Sequence, residues 1–183
     1  MPERADQNGP NQDSRNPGKP KPDRPPLALP AIDPMAVPGI TGETDYPAAL
    51  QAGMTSATRR RLGDAAGLKN FGVNLTVLPP GAASAHRHWH TRQDEFVYML
   101  AGELVLISDR GEQVLTPGMA AGFPAGVPDG HHLVNRSDRD ATFLEIGDRS
   151  PGDDGDYPDI DMIWRCAEDG HSSVHLHKDG TPY

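Results

Sequence analysis

The sequence predicts an all-β fold, a small antiparallel sandwich or barrel behind a disordered, proline-rich N-terminal tail. Three observations carry that expectation. Ten of the nineteen prolines fall within the first 40 residues, and no Val, Ile, Leu, Phe, Tyr or Trp precedes Leu27. From Asn70 onward apolar residues alternate with small or polar ones, the period of a strand. The apolar runs that follow are short and divided by Gly, Pro and Asp, a spacing typical of sandwiches and barrels.

Residues 1 to about 30 cannot bury enough apolar surface to offset their ordering entropy, and a disordered, partly polyproline-like tail is expected there. The lead-in over 31–69 is expected to be extended, with a short helix between Thr55 and Ala66 that Ser56 could cap and that Arg59, Arg60 and Arg61 keep mostly solvated. The barrel with a C-terminal extension is expected over 70–183. Its first strand sets Phe71, Val73, Leu75 and Val77 on one face and stops at Pro79-Pro80-Gly81. Strand-like runs follow at 86–90, 95–100, 103–108, 112–116, 131–135 and 141–147, with turns at Ala101-Gly102 and Asp109-Arg110-Gly111. Beyond Gly147 the run SPGDDGDYPDIDM reads as turn-rich and acidic, and the closing SVHLHKDGTPY as one further extended segment.

A chain of 183 residues has the length of one domain. Up to Ile40 five basic residues balance five acidic ones, so the net charge of −9 lies wholly beyond it. An acidic folded part opposes binding to nucleic acid or anionic lipid, which relies on Lys and Arg. No run reaches the roughly 18 apolar residues of a membrane span, and the N-terminus lacks the apolar stretch of a secretory signal. A single cysteine, Cys166, cannot form an internal disulfide and fits a reducing compartment. A cytoplasmic protein without nucleic-acid or membrane partners is expected.

The chemistry concentrates in two segments. His86, His88 and His90 alternate with Arg87 and Trp89, so an extended chain turns all three imidazoles to one face. Buried without partners, each would cost on the order of 1–3 kcal/mol, which a shared metal ion removes. A solvent-exposed histidine strand with Trp89 packed inward explains this segment equally well. Glu95 opens the apolar strand Phe96-Val97-Tyr98-Met99-Leu100 and returns a carboxylate beside the histidines, where a cation would partner an otherwise costly charge. Its neighbour Asp94 is expected to face solvent. In the second segment His131 and His132 lie on opposite faces of one strand, and period alone does not choose between them.

These residues closely resemble the two-part signature of the cupin superfamily. Gly81, His88, His90, Glu95 and Gly102 follow the first part, and Gly118, Pro124, Gly126, His131 and Asn135 the second. Two turns are longer than is usual in the family: six residues separate Gly81 from His88, and four separate Gly126 from His131. The resemblance implies a jelly-roll β-barrel and favours His131 over His132, which makes His88, His90, Glu95 and His131 the expected ligands of one divalent metal, Fe, Mn, Ni or Zn. It also implies a homodimer.

Three imidazoles and a carboxylate leave two positions of an octahedral ion open to a small molecule. A metal-dependent enzyme acting on a small polar metabolite, by dioxygenation or by sugar-type isomerisation or elimination, is the expected function; the alternative is a non-catalytic, metal-dependent binding protein for a sugar or other metabolite. Phe96 and Tyr98 are read as core before cavity lining, and Arg87 and Arg92 as solvated before anion binding. His175 and His177 alternate without a glutamate at suitable spacing. The acidic group Asp153, Asp154, Asp156, Asp159 and Asp161 is read as a solvated segment, with weak calcium binding as the alternative.

Overall fold

The computed structural model describes residues 28–168 and 172–183, and the tail expected over residues 1 to about 30 falls, up to residue 27, outside them. Thirteen strands make up nearly all the regular structure among these residues: β1 (Ile40–Thr41), β2 (Thr58–Arg61), β3 (Phe71–Leu78), β4 (Trp89–His90), β5 (Glu95–Ala101), β6 (Leu104–Ser108), β7 (Gly111–Leu115), β8 (Ala120–Phe123), β9 (His132–Val134), β10 (Ala141–Asp148), β11 (Gly155–Tyr157), β12 (Met162–Cys166) and β13 (Ser173–Leu176). A six-stranded sheet in the order β1-β2-β3-β10-β5-β8 faces a three-stranded sheet β7-β6-β9 and closes a barrel with it. A four-stranded sheet β13-β12-β11-β4 forms a further wall. Every one of these strand pairings is antiparallel.

The register of the large sheet decides which face is inside. Phe143 of β10 is fully buried and lies opposite Thr76 and Met99, both also fully buried, so this row points into the barrel. The alternate rows, Val73–Ile146–Phe96 and Leu75–Leu144–Tyr98, must then point out. The apolar face of β3 is thus the outer one, with Phe71 at 43% exposure. Phe96, Tyr98 and Leu100 continue it at 41, 38 and 44% exposure, so neither Phe96 nor Tyr98 is core, and of the two only Phe96 reaches the cavity, at its edge. The inner face carries Arg59, Asn74, Thr76, Glu95 and Glu145 above a core of Leu78, Val97, Met99, Leu104, Leu106, Leu133 and Phe143.

Residues 58–61, expected within a short helix over Thr55 to Ala66, instead pair with β3 as a strand, and the helix shrinks to one turn, α1 (Leu62–Ala65). The acidic run after Gly147 contains β11 and leads into β12, and the two bury Tyr157, Met162 and Trp164 in a second core against Tyr46 and Leu50. Asn135 has no exposed surface and clamps the β9–β10 turn. Its amide donates to the Leu78 and Arg139 carbonyls at 2.7 and 2.8 Å, and its Oδ1 accepts from the Ser137 N–H and hydroxyl. The need at this position is for a side chain that both donates and accepts. Gly102 turns β5 into β6 at φ 74°, where a Cβ would stand 2.6 Å from the Asp140 carbonyl.

Candidate metal centre

His88 and His131 are brought side by side by reciprocal backbone bonds, His88 N–H to His131 C=O at 3.2 Å and His131 N–H to His88 C=O at 2.9 Å. His90 follows on β4, held by β11, and Glu95 opens β5 opposite Gly147 and Phe123. The Glu95 carboxylate is the hub. Its Oε2 lies 2.9 Å from His131 Nε2, 3.4 Å from His90 Nε2 and 3.8 Å from His88 Nε2. Ligand atoms of His88, His90 and Glu95 all fall within 4.8 Å of one another, and His131 joins them through Glu95.

The opposite ring nitrogens assign the tautomers. His88 Nδ1 faces the His86 carbonyl at 2.8 Å, His131 Nδ1 the Asp129 carbonyl at 3.2 Å, and His90 Nδ1 the Asp153 carboxylate at 2.5 Å. These oxygens only accept, so each Nδ1 carries the proton and each Nε2 turns its lone pair toward Glu95. Three lone pairs and an anionic oxygen converging on one point suit a cation between them. This donor set fits a divalent metal, and in its absence a proton on an imidazole has to take that place. Phe123 stacks flat on His131, centroids 3.5 Å apart at 1°, and fixes its ring plane.

Electrostatics agree with this geometry. Burial pushes Glu95 up, but the hydrogen bond with His131 and the neighbouring imidazoles outweigh it and hold the carboxyl at about 2. Burial depresses His88 to about 4, so it is neutral near pH 7. Burial also lowers His90, but Asp153 and Glu95 overcome it and raise its pKa above the ordinary value of 6.5. A cation must therefore displace the His90 proton when the pH lies below that raised pKa. Metal affinity should climb about tenfold per pH unit up to it and then level off, one proton being released per ion. Chelator competition between pH 6 and 8 checks this; an unchanging affinity would contradict it.

Residues 86–90 do not form one continuous strand, because β4 spans only Trp89–His90. His86 accordingly leaves the histidine face and bonds the Leu50 carbonyl at 2.7 Å beside Tyr46. His132 turns to the Ala85 carbonyl. Asp94 is exposed and accepts the Ala125 N–H. Arg87 is tied to Asp109 and Asp159 away from the site, and Arg92 is exposed near Gly152. His177 pairs with Asp161 while His175 packs near Tyr46, so the two do not converge. The acidic cluster is dispersed too. Asp159 pairs with Arg87 and Asp156 with Lys178, Asp154 bonds the Cys166 N–H, and Asp153, only 9% exposed, turns inward to His90.

A cavity of about 460 Å³ inside the barrel is bounded by His88, Glu95 and His131 on one side and by Glu145, Arg59 and Asn74 on another. Sequence reasoning missed Glu145. It lies opposite Val97, one step along the sheet from the Gly147–Glu95 pair, so the two glutamates are diagonal neighbours about 7–8 Å apart on one wall. Thr76 Oγ1 at 2.8 Å and Arg59 Nε at 3.2 Å both donate to its Oε2, and no described residue donates to Oε1. The signal was present: Phe143 and Glu145 share a strand phase, so a buried Phe143 implies an inward Glu145.

The Cupin domain family model matches residues 74–147. Over 84% of this chain and 96% of the other, the fold is similar to that of a sugar phosphate isomerase of the cupin superfamily from Silicibacter pomeroyi, at 45% identity and a TM-score of 0.79. A protein provisionally named sugar phosphate isomerase, from Acidithiobacillus ferrooxidans, is similar at 27% identity over 72% of this chain and 81% of that one, with a TM-score of 0.64. A polyketide cyclase from Streptomyces resistomycificus, 21% identical over 66% of this chain and 80% of its own, shares the fold at a TM-score of 0.54. No curated protein matches the chain.

Proposed function

The chain belongs to the cupin superfamily, and from that premise we propose that it is a metal-dependent isomerase of a small anionic sugar, a phosphorylated hydroxy-aldehyde or hydroxy-ketone. The observation that carries this is a second carboxylate, Glu145, on the cavity wall beside the candidate metal group. Isomerisation moves a proton between adjacent carbons and needs a base that is not a ligand; dioxygenation does not. The sugar phosphate isomerase from Silicibacter pomeroyi supports the same choice.

In this reading His88, His90, Glu95 and His131 hold one divalent ion, which supplies Lewis acidity to a neighbouring hydroxyl and carbonyl. Glu145 Oε1 takes the proton from the carbon beside the carbonyl and returns it to the former carbonyl carbon, while the proton of the adjacent hydroxyl passes to the former carbonyl oxygen, so that hydroxyl and carbonyl exchange places. Thr76 and Arg59 orient that carboxylate through Oε2. Arg61 and Arg149 line the same cavity, 50% and 41% exposed at the side chain; each is paired with a carboxylate, Glu43 and Asp64, and turns its remaining N–H groups to the anionic end of the sugar.

The test is incubation of protein loaded with Fe, Mn, Ni or Zn with phosphorylated aldoses and ketoses in D2O. Isomerised sugar carrying deuterium at the carbon that gains the proton is the expected result. Glu145→Gln should keep the metal and lose about a hundredfold or more in turnover. Oxygen consumption with product would establish a dioxygenase instead, and a bound sugar recovered unchanged a binding protein.

The outward rows of Phe96, Tyr98, Leu100 and Phe71 form an apolar sheet face that we assign to a homodimer. Tyr98→Glu is expected to give monomer by sedimentation; a wild-type monomer would overturn the assignment. The single cysteine, Cys166, suits a reducing cytoplasm, where we place the protein.

A further inference from the structure

We infer that Asp153, from the segment beyond the cupin domain match, is a positioning residue that locks His90 in the one tautomer able to bind metal. The inference rests on the metal-centre reading above. His88 and His131 donate Nδ1–H to neutral backbone carbonyls, whereas His90 alone donates to a carboxylate, at 2.5 Å. Asp153 is itself held. Its Oδ1 accepts the Arg92 N–H at 2.8 Å and the Gln93 N–H at 3.3 Å, with the Thr91 hydroxyl at 3.4 Å, which leaves Oδ2 for His90.

That division of labour makes the two oxygens inequivalent. In Asp153→Asn the amide oxygen must stay on the two backbone N–H groups, since an NH2 there would meet donors. The NH2 then faces His90 Nδ1, which can only accept from it, and the ring proton moves to Nε2. An N–H now points into the centre where a lone pair is required. Asp153→Ala removes the acceptor and the backbone anchor but leaves the imidazole free to choose its tautomer.

The two variants should therefore rank in opposite orders on two scales. Asn preserves the bonds to Arg92 and Gln93, so the metal-free Asn variant should melt above the Ala variant. In Zn2+ affinity, measured by chelator competition, the Ala variant should lose about tenfold and the Asn variant about a hundredfold, the range for residues that support a ligand. A merely structural role gives one order on both scales, with Ala the worse. Nitrogen-15 NMR of the metal-free proteins, above the imidazole titration range, should show His90 protonated at Nδ1 in wild type and at Nε2 in the Asn variant. Affinities that follow the melting order, or an Nδ1 proton in both proteins, would overturn the lock and leave the metal centre standing. A wild type that takes up no Zn2+ would instead remove the metal centre on which the lock depends.

Discussion

Glu95→Gln is expected to strip the centre of metal and also to lower the stability of the metal-free protein. All three imidazole Nε2 atoms are arranged around one Glu95 oxygen, at 2.9, 3.4 and 3.8 Å, and the carboxyl is held at about 2, so it is anionic at every working pH. That charge is the centre's main attraction for a cation. Removing one partner of a buried charge pair costs about 3–5 kcal/mol, roughly two to three and a half decades in affinity. The metal-free variant loses stability as well: a carboxyl held well below its ordinary value is favoured as the anion in the folded chain, and the neutral amide forfeits that contribution at any pH above the carboxylate range. Elemental analysis should find metal near one ion per wild-type chain and almost none in the variant, with calorimetry showing a lower melting temperature even without metal. Wild-type metal content in Glu95→Gln would mean that these four side chains do not hold the ion.

Gly155→Val is expected to be the most damaging single change to the fold. Gly155 lies opposite Trp164 in the β11–β12 pair, and the indole lies directly across it. A Cβ at Gly155 would stand 1.8 Å from Trp164 Cη2 and 2.0 Å from Cζ2, far inside any contact distance. The ring cannot yield cheaply, because Trp164 is only 7% exposed and packs among Tyr157, His88 and His90. Expelling it combines overpacking with the loss of a buried tryptophan, about 3–5 kcal/mol, and lowers the melting temperature by roughly 10 °C. Adding Trp164→Leu to the Gly155→Val variant should recover part of the loss, since the two changes share one volume. An unchanged melting temperature for Gly155→Val would show that the indole is not seated there.

What could be read in advance followed chain distance. His88, His90 and Glu95 lie within eight residues on and beside two strands, so local spacing was enough to group them. His86 escaped because period two was extended past the end of β4. Alternation on β3 separated its two faces without saying which was inside; that depends on Phe143 and Met99 across the sheet. Arg59 and Asp153 reach the site through register and through loops far away along the chain, which no single-strand pattern contains, whereas Glu145 shares the phase of Phe143 and needed only the choice of inner face. Asp153 misled by composition, since an aspartate amid aspartates resembles solvated chain, whereas this one is consumed by backbone donors and an imidazole.

The seating of Trp164 also gives the centre an optical consequence. Its indole lies 4.9 Å from the His90 ring and 5.8 Å from the His88 ring, and the sequence holds only one other tryptophan, Trp89. With Trp89 replaced by Phe, ultraviolet emission comes from a single lamp mounted against the ligands. Open-shell ions such as Fe(II), Mn(II) or Ni(II) quench an indole at that range, while closed-shell Zn(II) dims it far less. The protein thus carries its own dye, and the depth of quenching on titration distinguishes the kind of ion it has taken up without any label.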